Sequence, residues 1–128
     1  MVKRGDAAGT WQASHFDWRI RRAVTLIQGD PGAARDVDAL AKEVGLSRAH
    51  FYRLFERSTQ MTPHLYVNLL RMELAVKTVV HSEDSLSVVS DRLGFAAQSH
   101  FTRFFRDHAG VNPSEFRNVA RMGDTLRA

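Results

Sequence analysis

The chain has 128 residues, 44% hydrophobic and 25% charged, which suits one compact domain or two very small ones and is too apolar for a disordered segment. Its 18 Lys and Arg against 14 Asp and Glu leave a formal charge of +4; since only Lys3, Lys42 and Lys77 are lysines, arginine dominates, the side chain suited to bidentate contact with guanine or phosphate. With no cysteine, disulfides, thiolate catalysis and zinc fingers are excluded, and with neither a long apolar run nor the apolar core of a signal peptide the expectation is a soluble, cytoplasmic protein.

Residues 1–13 mix Gly, Ala and charges without periodicity and are expected to form a mobile tail. Ser14 followed by Asp17 resembles a capping box, and Phe16, Ile20, Val24 and Ile27 recur at helical spacing until Gly29-Asp30-Pro31-Gly32 stops the helix. Asp36 can cap a short helix with Val37, Leu40, Ala41 and Val44 on one face, and Gly45 can end it in the left-handed conformation. Ser47 caps the next helix. There, 100° per residue puts Phe51, Leu54 and Phe55 on one side and Ala49, Tyr52, Arg53 and Glu56 on the other. Thr62-Pro63 opens a long helix to about His81, with Leu65, Tyr66, Leu69, Met72, Val76, Val79 and Val80 as its expected apolar positions. At 1.5 Å per residue it spans about 28 Å, close to the roughly 34 Å repeat of B-DNA.

Ser82 to Ser85 break and recap the chain, and the pattern then repeats. Leu86, Val89, Ser90, Leu93 and Gly94 restate the short helix and its stop, and a helix from about Gln98 carries Phe101, Phe104 and Phe105 opposite Ser99, Thr102, Arg103 and Arg106. Asn112-Pro113 with Glu115 starts a last helix bearing Phe116 and Val119. From Phe51/Phe101 to Tyr66/Phe116 the two copies are offset by fifty residues, whereas Gly45 and Gly94 are one residue closer, so the second turn carries an insertion. No segment reads as a strand. The expected fold is all-α, about seven helices, with two helix-turn-helix subdomains joined by a long linker helix. Its expected divisions are 1–13 as tail, 14–81 as first subdomain with linker, 82–121 as second subdomain and 122–128 as C-terminal tail.

The run Leu93-Gly94-Phe95-Ala96-Ala97-Gln98-Ser99-His100-Phe101-Thr102-Arg103-Phe104-Phe105-Arg106, followed by Gly110-Val111-Asn112-Pro113-Ser114-Glu115-Phe116-Arg117, resembles the signature of the AraC/XylS family of bacterial transcription regulators. The likeness extends from about Phe16 to Val119 and includes Leu70-Arg71-Met72 and Ala75. It implies that each subdomain inserts its second helix into successive major grooves of promoter DNA, with Arg48, Ala49, Tyr52 and Arg53 facing bases in the first unit and Gln98, Ser99, His100 and Arg103 in the second. The chemistry agrees: arginine can pair with guanine O6 and N7, Gln98 with adenine N6 and N7, and Tyr52 can meet a thymine methyl or a phosphate. Thr102 shares the second reading face, and Arg106 is expected on phosphate. Two reading helices in one chain imply DNA binding as a monomer if this chain is complete, and an activator would also touch RNA polymerase.

Three positions depart from the family pattern. Gln60 stands where glycine is usual, at a cost of about 1 kcal/mol if the residue is left-handed. Ala97 replaces a serine cap worth roughly 0.5–2 kcal/mol. Ala49 is small and apolar on a reading face. His50 and His100 occupy equivalent positions but would lie in separate subdomains with no third ligand, so no metal or cofactor is expected. No nucleophile, base and oxyanion set converges, and without cysteine the chain cannot be a methyl-acceptor module of the kind attached to related DNA-binding domains, so no enzyme is expected. The alternative function, a protein-interaction adaptor that keeps the fold without reading DNA, predicts eroded charge on the reading faces, whereas Arg48, Arg53, Arg103 and Arg106 are all present.

Overall fold

A computed structural model describes residues 17–127. Among them are seven α-helices and no strand: α1 (Trp18–Gly29), α2 (Val37–Glu43), α3 (Arg48–Thr59), α4 (Pro63–His81), α5 (Leu86–Arg92), α6 (Gln98–Ala109) and α7 (Pro113–Arg127), with a single 3-10 turn, Ala33–Arg35, before α2. None of these helices is long and apolar enough to cross a membrane. The chain divides into two compact units, 1–68 and 69–128, and the boundary falls inside α4.

Most helix starts are set by the short polar side chains that local sequence offers. Asp36, Ser47 and Ser85 accept the amides of Ala39, His50 and Val88 at 3.0, 3.2 and 3.2 Å, satisfying donors that a helix N-terminus leaves open. Thr62 accepts the amide of Leu65 at 3.1 Å, with Pro63 in the first turn where its missing N–H costs nothing. Before α7, Asn112 accepts the amide of Glu115 at 2.9 Å while Glu115 accepts that of Asn112 at 3.4 Å, a reciprocal capping box. The start of α1 differs from expectation. Asp17 itself is the cap, accepting the amide of Arg19 at 2.8 Å, and Ser14 and Phe16 lie outside the described residues.

In the first unit, Ile20, Ala23 and Ile27 of α1 are buried with Val37, Leu40, Ala41 and Val44 of α2, Phe51 and Phe55 of α3, and Val67. In the second, Ala75 and Val79 are buried with Val89 and Leu93 of α5 and Phe101 and Phe105 of α6. The repeat is therefore structural. Phe51 meets Phe55 at 5.6 Å between ring centroids and Phe55 meets Tyr66 at 5.8 Å; the equivalent pairs, Phe101 with Phe105 and Phe105 with Phe116, lie at 5.9 and 5.4 Å.

Several expectations are corrected. Leu65 and Leu69 of α4 are each 48% exposed, and the buried row is Val67, Arg71, Ala75 and Val79 at strict i, i+4 spacing. Apolar residues are common on surfaces, so periodicity alone over-assigned them to the core. Val119 is 65% exposed, leaving Phe116 as the inward anchor of α7. The C-terminal tail placed at 122–128 is helical through Arg127, with Gly123 carried inside α7. The division at residue 81 likewise moves to 68, since α4 begins as the last helix of one unit and ends as the first of the other.

Candidate nucleic-acid interface

α3 and α6, the candidate reading helices, are each held by aromatic burial on one face and leave a polar face in solvent. In α3, Phe51 and Phe55 are fully buried while Arg48, Ala49 and Arg53 are exposed and Tyr52 is half-buried. In α6, Phe101 and Phe105 are fully buried while Gln98, Ser99, His100, Arg103 and Arg106 are exposed and Thr102 is half-buried. Removing four phenylalanine rings from water, at about 25 cal/mol per Å² of apolar surface, fixes how each helix is rotated and so which residues it presents.

The two faces are not electrostatically equal. Arg48 is ion-paired with Asp38 of α2, donates to the Tyr52 hydroxyl at 3.4 Å and lies 4.9 Å above the Tyr52 ring. The Asp38 carboxylate raises its pKa further, so the cation is already engaged within the protein. Tyr52 also meets His64 at 5.9 Å between ring centroids. By contrast, no side-chain hydrogen bond or ion pair among the described residues engages Arg53, Arg103 or Arg106. Their guanidinium donors face solvent and are open to an anion or a base edge.

The turns that set these helices also differ. Between Gly45 and the Ser47 cap stands one residue, Leu46; between Gly94 and the α6 cap stand two, Phe95 and Ala96, which is the inserted residue. Gly45 has φ +79 with open space where a Cβ would stand, so backbone conformation rather than crowding demands glycine there. Ala97 caps α6 with extended backbone and no side-chain hydrogen bond. At the other end, α6 closes on Gly110 at φ 85, whereas α3 closes on Gln60 at φ 65, the one non-glycine residue with positive φ among those described. Buried Thr59 straps that turn: its hydroxyl accepts the Met61 amide at 3.1 Å and lies 2.8 Å from the Phe55 carbonyl and 3.0 Å from that of Met61. Sequence inspection identified Gln60 but not its brace.

Several arginines prove structural. Arg117 donates to the Val79 carbonyl and the Asp84 carbonyl, both at 2.9 Å, and Arg121 pairs with Glu83 at 2.8 Å. Arg71 is only 8% exposed and sits against the Phe95 and Phe104 rings. His50 and His100 fall in different units, and no group of three or more potential metal ligands occurs among the described residues.

A family profile described as a helix-turn-helix domain matches residues 40–118. The "Probable transcription factor PqrA" of Proteus vulgaris is 32% identical over 89 residues, covering 70% of this chain and 73% of that protein. The chain belongs to the AraC/XylS family of helix-turn-helix transcription regulators. Among solved structures, an AraC-type DNA-binding domain protein from Chromobacterium violaceum superposes with a TM-score of 0.67 at 26% identity, covering 80% of this chain and 91% of that one. The DNA-binding domain of AdpA, solved in complex with a target DNA, gives 0.75 at 25% identity, with 81% and 94% covered. Most of the curated AraC/XylS-like relatives are longer: this chain spans about a third of the length of several that it matches.

Proposed function

We propose that this AraC/XylS-type chain regulates transcription by reading double-stranded DNA sequence-specifically, with α3 and α6 entering successive major grooves. The observation that carries the reading is the pair of solvent-facing arginine-bearing helix faces, each opposite two fully buried phenylalanines, in a chain whose excess charge is positive. Arg53 and Arg103 read guanine, Gln98 reads adenine, and Ser99, His100 and Thr102 complete the second contact. Arg48, Ala49 and Tyr52 complete the first. Arg106, about one turn beyond Arg103 along α6, neutralises phosphate. One chain carries both reading helices, so this chain, if complete, binds as a monomer, in the bacterial cytoplasm, with RNA polymerase as its protein partner during activation.

The test is selection of a preferred duplex from a random-sequence pool, followed by a base-substitution panel at fixed salt. Arg103→Ala should lose on the order of 1–3 kcal/mol at one base pair and relax preference there, because a bidentate arginine rejects other bases by leaving its donors unpaired. Arg106→Ala should weaken all sequences alike and lower the salt slope by about 1. A uniform loss from Arg103→Ala would remove it from the base-reading set. Failure to recover any preferred duplex would overturn the function itself.

A further inference from the structure

Arg71 is a buried cation of the second unit. Its guanidinium carbon lies 4.0 Å from the ring centroid of Phe95 and 5.1 Å from that of Phe104, and those two rings are 5.2 Å apart. Phe95 also meets Phe101 at 5.4 Å. One planar cation thus contacts the turn of the helix-turn-helix through Phe95 and the reading helix through Phe104, the residue next to Arg103. Stacking of a desolvated guanidinium on aromatic faces is directional as well as favourable, which a methyl-to-methyl contact is not.

The first unit provides an internal control. Aligning Ile20, Ala23 and Ile27 of α1 with Met72, Ala75 and Val79 of α4 by their shared i, i+3, i+7 spacing pairs Arg19 with Arg71. The ring positions are aliphatic there: Leu46 stands for Phe95 and Leu54 for Phe104. Lacking rings to stack on, Arg19 turns to Asp17, with Nε and Nη2 each 3.0 Å from a carboxylate oxygen. The arginine goes to the aromatics in the unit that has them, and that same unit has the longer turn and no side-chain cap on its reading helix.

We infer that Arg71 is a positioning residue for DNA reading: by clamping Phe95 and Phe104 it sets the pose of α6, and through that pose the base preference of Gln98 and Arg103. The inference rests on the DNA-reading function proposed above. A bidentate contact tolerates little displacement of its donor, so loosening α6 within its unit degrades discrimination before it abolishes binding.

The test uses the full chain and the duplex that the wild type recovers from a random pool. Arg71→Lys keeps the charge and the aliphatic stem but removes the planar face; Arg71→Met removes both. At a temperature where circular dichroism shows each variant folded, both should lose about threefold to tenfold of their discrimination at the base pairs read by α6, with Arg71→Lys the milder, while discrimination at the pairs read by α3 is unchanged. Should Arg71→Met not fold, Phe104→Leu, which installs the residue that the first unit has, removes one face of the clamp from the other side. Combined with Arg71→Lys it should cost no more than the larger single effect, because both break one unit.

Arg71→Lys and Phe104→Leu with the wild-type panel, or with strictly additive losses, would overturn the clamp, as would equal losses at the α3 and α6 base pairs. A wild type that recovers no preferred duplex sinks the DNA-reading function and this inference with it. A wild type that reads DNA beside a folded Arg71→Lys that reads it identically sinks the inference alone.

Discussion

At the scale of single residues, the two units solve the same local problems with different side chains, and the differences are open to measurement. Ala97 leaves an amide donor of α6 without a side-chain acceptor, although its extended backbone is the conformation that a serine cap adopts. Ala97→Ser should therefore stabilise the protein by about 0.5–2 kcal/mol in denaturant unfolding and leave the base panel unchanged. Gln60 holds a left-handed conformation that its counterpart Gly110 adopts without strain. Gln60→Gly should gain about 1 kcal/mol, the left-handed strain outweighing the added chain entropy of glycine. Asp38 occupies the guanidinium of Arg48, so Asp38→Asn should release a cation onto the first reading face. The expected result is tighter binding to all duplexes and a salt slope steeper by about 1; unchanged binding would mean that Arg48 does not reach the DNA.

At the scale of elements, helix starts and stops were largely legible because their determinants lie within four residues. Asp36, Ser47, Thr62, Ser85 and Asn112 cap the helices that the sequence led one to expect. The start of α1 carries a pH dependence that was not expected. The hydrogen bonds from the Arg19 side chain and amide lower the Asp17 pKa to about 2, below the roughly 3.9 of an unfolded aspartate. A carboxylate with a depressed folded pKa contributes stability in full above the unfolded value and loses it as pH falls through the folded one. Asp17→Asn keeps a good cap but no charge. The wild type should exceed it by about 0.5–1 kcal/mol near pH 6, as befits a partly exposed pair at a helix N-terminus. That difference should shrink between about pH 4 and pH 2 in parallel thermal melts, and a constant difference would show that the ionised carboxylate contributes nothing beyond capping.

At the scale of the whole molecule, connectivity bears most directly on function. α4 is continuous over Pro63–His81, about 28 Å, and contributes Val67 to the core of one unit and Ala75 and Val79 to that of the other. Both candidate reading helices are thereby carried by one polypeptide, and the proposed monomeric recognition is open to a direct stoichiometric test. Sedimentation with a selected duplex should give one protein per site, and footprinting should protect about two helical turns. A two-to-one complex, or protection confined to one groove, would require each chain to use a single reading helix.

Sequence by itself determined the all-helical class, the duplicated helix-turn-helix, the caps and turns, and the residues opposite the buried phenylalanines, since each follows from neighbours a few positions apart and from helical periodicity. Only tertiary structure decided which side chains of α4 turn inward, with Arg71 buried and Leu65 and Leu69 exposed. It also decided that Arg48 is held by Asp38 whereas Arg53 and Arg103 are not, and that the unit boundary falls within a helix. The physical reason is range. A cap or a period is satisfied by adjacent residues, whereas the burial of a guanidinium depends on rings that the chain brings from other elements, Phe95 and Phe104, and no spacing along α4 encodes their arrival.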